Sequence, residues 1–435
     1  MTLLDELAKE YVELLLTKHQ HHDIWDVYWY ADTPFYKRTD IYVNRNRPAY
    51  PYKPAPCMPK MSLEQILEKT NVLYQKLISN DEFENGNDEI RNQYLIEHVR
   101  SMIMRTHFLM EKQMSYDEYT YGMFGLKAPV SDINCVDDVI RELDTVLPGK
   151  GDLGQRILEY KQRLRIPPDK IPDVLNKAGR FFHEATVENM GTQDSNMPRL
   201  RYRKIEEGNV FVTVLYGYDY DKVSLEQNFS TIFPFYLDNI AEVAGHEMEP
   251  GHFTFMYLRT KGMVDTSYPE LGINSHAPSS AFIEGGARAA IKLVLNSEEK
   301  ERAFDLEMFN LAGVDKELME QLPIWRKYIE LSSKCKLEIE RNLWDKKWSV
   351  KEAAEYARAK YFITENQPDD AVRHFANDPG HFTSHDYATS VVNDYYSNRY
   401  TETSEKWKAY KQLCQYPFVM KELVDGTFDP FNFKI

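Results

Sequence analysis

The sequence predicts a mainly α fold with one small β-sheet, and three observations carry that prediction. Apolar residues recur three and four apart through most of the chain. A single stretch, Asn209–Asp221 (NVFVTVLYGYDYD), is rich in β-branched and aromatic residues and reads as a strand. No fixed-period repeat is visible. The first expected helix is Leu3–Leu16, with apolar residues on one face. A second follows Ser62, which is placed to cap it, and runs to Ile78. A long helix is expected from about Asp88 to Met114. Others are expected over Cys135–Leu147, Asp152–Leu164, Ile171–Met190, Glu317–Asp345 and Ser349–Ile363. Five prolines between Arg47 and Lys60 each fix their own φ and restrain the preceding residue, so this segment reads as an extended connector. The division expected is an N-terminal helical region, 1–165, and a metal-binding catalytic region, 166–435, within one continuous helical domain with a cleft.

Composition narrows the classes. Of 435 residues, 43% are hydrophobic and 28% charged, the profile of a folded globular protein. A net charge of −15 argues against a general nucleic-acid binder, because phosphate binding needs a basic surface. No apolar run reaches the length of a membrane span, and Asp5, Glu6, Glu10 and Glu13 interrupt the leucines at the start, unlike a secretory signal. The four cysteines are scattered and form neither a paired metal motif nor a disulfide framework. A reducing cytoplasm is the expected setting, with neither membrane nor nucleic acid as partner.

The chemistry is concentrated around Glu249–Phe255 (EPGHFTF). Leu237, Ile240, Val243 and Ala244 run at helical spacing into His246-Glu247, and His252 follows six residues after His246. In an unbroken helix six residues rotate by roughly 240°, which would point the two imidazoles apart. Pro250 lies four residues after His246, where its ring clashes with a regular helix, and Gly251 permits backbone angles closed to other residues. The Pro-Gly pair is therefore expected to kink the chain and return His252 towards His246. Neutral imidazoles suit Zn2+, and Glu247 beside the first ligand would act as general base on a water. The alternative is a helix end with two ordinary histidines. Downstream, Phe282, Ile283, Ala287, Ala290 and Ile291 describe a buried helix carrying Glu284, the candidate third ligand; the alternative is an ion pair with Arg288 one turn on. Gly285 and Gly286 are expected to leave room there for substrate. His276 is a weaker candidate.

HEMEPGHF followed by FIEGGARAA resembles domain-of-unknown-function family 885, whose members are similar to gluzincin metallopeptidases with mainly helical folds. The resemblance covers the chain from about residue 200 onward. It implies a helical metallopeptidase-like domain, one zinc ion on His246, His252 and Glu284, and a catalytic base at Glu247; the small sheet read from Asn209–Asp221 is expected next to the metal-binding helix. The resemblance also implies a late Arg, Pro-Gly-Gln and Tyr segment. That segment is matched here by Arg373, by Pro379-Gly380-His381 and by Tyr387, with His385 standing at the expected Tyr position. The spacing from Arg373 is one residue longer than the family's, and Gly286 and Ala289 replace larger aromatics.

The second Pro-Gly-His-Phe-Thr, at 379–383, is thus read as a separate turn of the same site rather than a repeat. Tyr387 and His385 are the candidates for stabilising an oxyanion, and Arg373, His381 and Asn228 for binding a peptide substrate, with a plain structural turn as the alternative. The strand at Asn209–Asp221 offers an edge for an extended peptide. Two further histidine groups, Gln20–Asp23 and His183-Glu184, read as a solvated helix end and a helix interior. The functional expectation is a zinc-dependent hydrolase of short peptides. The alternative is an inactive relative that keeps the metal cleft for binding.

Overall fold

The computed structural model describes residues 2–21, 27–29, 58–191, 199–203, 212–215, 226–230, 234–360, 372 and 379–434. The chain is mainly helical. Its helices are α1 Leu3–Lys18, α2 Leu63–Ile78, α3 Gly86–Leu109, α4 Tyr116–Phe124, α5 Asn134–Val146, α6 Leu153–Arg163 and α7 Ile171–Met190. After the motif come α8 His252–Thr266, the short α9 Pro269–Gly272, α10 His276–Val294, α11 Glu298–Ala312, α12 Leu322–Trp344 and α13 Val350–Lys360. The last three are α14 Ala388–Arg399, α15 Thr403–Gln415 and α16 Met420–Val424.

Local chemistry sets these boundaries. Ser62 caps α2 reciprocally with Gln65, as Thr2 does with Asp5 and Ser115 with Glu118, so orphan N–H groups are satisfied at each start. The long third helix ends at Leu109 rather than near Met114; Glu111 just beyond it adopts a positive φ of 56°. The stretch expected as one helix from Glu317 is divided. A 3-10 turn, Lys316–Gln321, precedes α12, and Pro323 sits in the first turn of α12, where its missing N–H costs nothing.

Short strands accompany the helices. Arg199–Arg203 pairs in parallel with Glu226–Ser230, which pairs antiparallel with Val212–Leu215. Of the expected strand Asn209–Asp221, residues 212–215 are extended and the remainder lies outside the described residues. Asn228 is on the central strand, opposite Arg201 and Thr213. Val27–Trp29 pairs antiparallel with Ile273–Ser275. Of the proline-rich connector, residues 47–57 lie outside the described residues.

A single large apolar core runs from Tyr119 in α4 through Phe182 in α7 and Phe282 in α10 to Phe428 near the end. Residues on both sides of position 165 build it. A second core joins α1 to α2 and α3 through Leu7, Tyr11, Leu15, Leu73, Leu95 and Val99. There the buried Arg91 of α3 holds Glu270 at 2.6 Å and Asp5 of α1 at 2.7 Å, under the ring of Tyr268. This fastens the first helix to the segment leading into α10. No helix among the described residues is long and apolar enough to cross a membrane.

Candidate metal centre

The chain does not run helically through the His-Glu motif. Glu242–His246 forms a π-helical turn, residues 247–251 form an open turn, and α8 starts at His252. Gly251 donates its N–H to the Gly245 carbonyl at 2.9 Å. A Cβ at position 251 would overlap the His246 carbonyl, so only glycine allows the chain to fold back this closely. The Pro250 carbonyl accepts a hydrogen bond from the buried Tyr410 hydroxyl of α15 at 2.8 Å, which pins the turn to the core. The result is a pair of imidazoles with ring centroids 4.3 Å apart. His246, Glu247 and His252 each place a ligand atom within 4.8 Å of the others.

Glu284 enters from α10. Its Oε2 is 3.2 Å from His246 Nε2 and 3.5 Å from His252 Nε2. A third imidazole reaches the same oxygen: His385 Nε2, also at 3.2 Å. His385 lies in a second π-helical turn, Thr383–Tyr387, that leads into α14. The approach of the two elements depends on Gly285. A Cβ there would lie 2.6 Å from the carbonyl carbon and Cβ of Ala388 and 2.7 Å from the Thr389 nitrogen. The expectation that Gly285 and Gly286 leave room for substrate is therefore corrected: Gly285 is filled by the backbone of α14, and Gly286 lies against the Phe282 ring.

The expected alternative partner of Glu284 is engaged elsewhere. Arg288 Nε bonds Glu242 at 2.6 Å and Nη1 bonds Asp386 at 3.1 Å. One guanidinium thus ties together the turn bearing His246, the helix bearing Glu284 and the turn bearing His385. Glu242 also faces His246 Nδ1 at 3.7 Å, beyond hydrogen-bond range. The buried His246 Nδ1 and His252 Nδ1 have no hydrogen-bond partner among the described residues.

The electrostatics follow from this crowding. Burial alone would raise the Glu284 carboxyl, yet the charges of His385 and His252 and the hydrogen bonds from His246 and His252 hold it well below the usual carboxylate range. Burial alone would lower His252, but Glu284, with help from Glu247 and Glu242, pushes it up to about 9. Desolvation opposes ionisation of Glu242 and Arg288 keeps it below its ordinary value. Three imidazoles and one carboxylate facing inward are an N/O donor set suited to Zn2+. The residues present fit a divalent cation.

The late turn is anchored from below. The His381 N–H donates to Glu340 of α12 at 2.9 Å, and the Tyr116 hydroxyl donates to the other Glu340 oxygen while lying 2.8 Å from Thr383 Oγ1. The His381 ring lies against that of His385, tilted by 32° with centroids 3.9 Å apart. Tyr387 packs against Ala128, Leu337 and Phe382, and burial raises its hydroxyl pKa; its hydroxyl makes no hydrogen bond to the cluster among the described residues. Arg373 lies outside the described residues, and Asn228 is described only in its backbone. His183 bonds Glu249 through Nδ1, inside α7, as its helix-interior reading requires. His21 is exposed at the end of α1. Sequence reasoning missed Glu242, which sits one helical turn before His246 and could have been found from that spacing. It also missed Glu340, Tyr116 and Tyr410, which no local pattern marks.

No family model and no curated protein matches the chain. Among solved structures the chain is similar to one described as "the putative lipoprotein from Colwellia psychrerythraea", with 14% identity and a TM-score of 0.52 over 84% of this chain and 69% of that one. At that identity the likeness shows a shared fold.

Proposed function

We propose that the protein is a zinc-dependent hydrolase of peptide bonds, acting on short peptides and related to the gluzincin-like members of family 885. The observation that carries this reading is the convergence of His246 and His252 Nε2 on Glu284 Oε2, with the Glu247 carboxylate beside both imidazoles. His246, His252 and Glu284 would hold the ion. A dication held there supplies Lewis acidity and lowers the pKa of a water towards about 7. Glu247 accepts the proton of the attacking water and passes it to the leaving amine. Arg288 and Glu242 keep the turn and α10 in register during that transfer. We assign Arg373, His381 and Asn228 to substrate binding and Tyr387 to the oxyanion, and we place the small sheet beside the cleft, where Val212–Leu215 offers an edge to an extended peptide. The cytoplasm is the proposed location.

The test is Glu247→Gln with a peptide-library digest. Loss of a general base should lower turnover by about 10²–10⁴-fold while zinc content stays at one ion per chain. Full activity in that variant would remove Glu247 from the reaction. One observation favours a second reading, a metal-bearing peptide-binding protein without turnover: Gly285 and Gly286 are spent on packing rather than on open space. Zinc-loaded protein that binds peptides yet cuts no peptide or amide would establish it.

A further inference from the structure

We propose that His385 is a fourth donor to the same cation, so that the site is closed by protein side chains on the side of the late turn. The inference rests on the metal reading above and adds to it. His385 Nε2 lies 3.2 Å from Glu284 Oε2, the same distance as His246 Nε2, with His252 Nε2 at 3.5 Å. A carboxylate oxygen offers about two acceptor directions, so three imidazole N–H groups cannot all be satisfied by it. With a cation among them, each ring nitrogen would offer a lone pair to the ion rather than an N–H to that oxygen.

The hydrogen bonds on the far side of the ring decide the tautomer. His385 Nδ1 is 2.8 Å from the His381 carbonyl oxygen, which only accepts. Ser384 Oγ donates to that same carbonyl at 3.0 Å, leaving its lone pairs to face Nδ1 at 3.0 Å. Both neighbours require the proton on Nδ1. In the neutral ring Nε2 then carries a lone pair, and it points at a carboxylate oxygen. A lone pair and a carboxylate oxygen that face one another in this way can both point at a cation between them. A backbone carbonyl on Nδ1 is also how metal-ligating histidines are commonly oriented. As a ligand, His385 would not serve as the oxyanion donor expected from sequence, and that role would pass to Tyr387. The turn is built to hold this ring: Glu340 fixes the His381 N–H, and Gly285 lets α14 approach α10.

The experiment is zinc X-ray absorption, which counts coordinated imidazoles, combined with zinc titration against a chromophoric chelator. It compares the full chain with His385→Ala and His385→Gln, each checked for folding by circular dichroism. The expected result is three imidazoles in the wild type and two in each variant, with a zinc dissociation constant raised by about 10–100-fold or more. Two imidazoles in the wild type, or unchanged absorption and affinity in both variants, would overturn the proposal while leaving the His246–His252–Glu284 site standing. A wild-type chain that takes up no stoichiometric zinc would overturn both this and the hydrolase reading.

Discussion

Replacing Gly285 with alanine separates the architecture of the site from its chemistry. The new Cβ would sit 2.6 Å from Ala388 backbone and side-chain carbons and 2.7 Å from the Thr389 nitrogen. Ordinary van der Waals contact between carbons is about 3.5–4.0 Å, so α10 and α14 must part by about 1 Å. Overpacking of this kind costs about 1–3 kcal/mol. Unfolding entropy of about 2.1 cal/mol/K per residue gives about 0.9 kcal/mol/K for the 435-residue chain, so Tm should fall by about 1–3 °C. The larger effect should be on zinc. The same separation carries His385 and Glu284 apart from their 3.2 Å approach, and disturbed support of ligands typically costs about 10–100-fold in metal affinity. Gly286→Ala is the control, because the nearest atoms to its Cβ belong to the Phe282 ring, at 3.2 Å, and not to the backbone of α14. Scanning calorimetry and chelator competition on both variants make the comparison. Equal Tm and equal zinc affinity for the two would refute the argument that Gly285 is the close point between the elements bearing Glu284 and His385.

Proton linkage gives a second expectation. His252 is raised to about 9, so its contribution to the stability of metal-free protein is complete below about 6.5 and lost as pH rises through about 9. Glu284 is depressed, so its contribution is complete above about 4.5 and lost as pH falls through its folded value. Zinc uptake at about pH 7.5 should therefore release about one proton from His252, visible as a buffer-dependent binding enthalpy; an enthalpy independent of buffer would contradict the assignment. Tyr116→Phe leaves the buried Glu340 without one of its donors and should destabilise the protein by about 1–3 kcal/mol, measured by chemical denaturation. A variant as stable as the wild type would mean that the late turn does not depend on this bond.

The helices were legible because amphipathic spacing and caps are local. Ile171–Met190 matches its expected bounds, and Ser62 caps as its position suggests. Of the boundaries that failed, the one within Glu317–Asp345 turned on Pro323, whose tolerance at a helix start outweighed the continuous apolar pattern. At the site, the Pro-Gly pair between two histidines announced a bend, and the structure bends there. What could not be read was that His385, expected near the cleft, reaches Glu284 itself. His385 is 101 residues from Glu284 (385 − 284), and only the crossing of α10 and α14 at Gly285 brings them together. The glycines looked like open space because a sequence shows which side chain is missing but not what fills its place. Arg288 was weighed against its own-helix neighbour Glu284, whereas its partners came from two other segments.

The clamp made by Arg91 has a consequence during synthesis. Asp5 and Glu270, the two acids it joins, are separated by 265 residues (270 − 5). At about 5–20 residues per second a ribosome needs about 13–50 s to travel between them. For most of that interval the leucine face of the first helix is outside the exit tunnel without Ile273, the last residue in sequence of its apolar cluster. Nascent chains arrested short of that point should be the ones that chaperones hold.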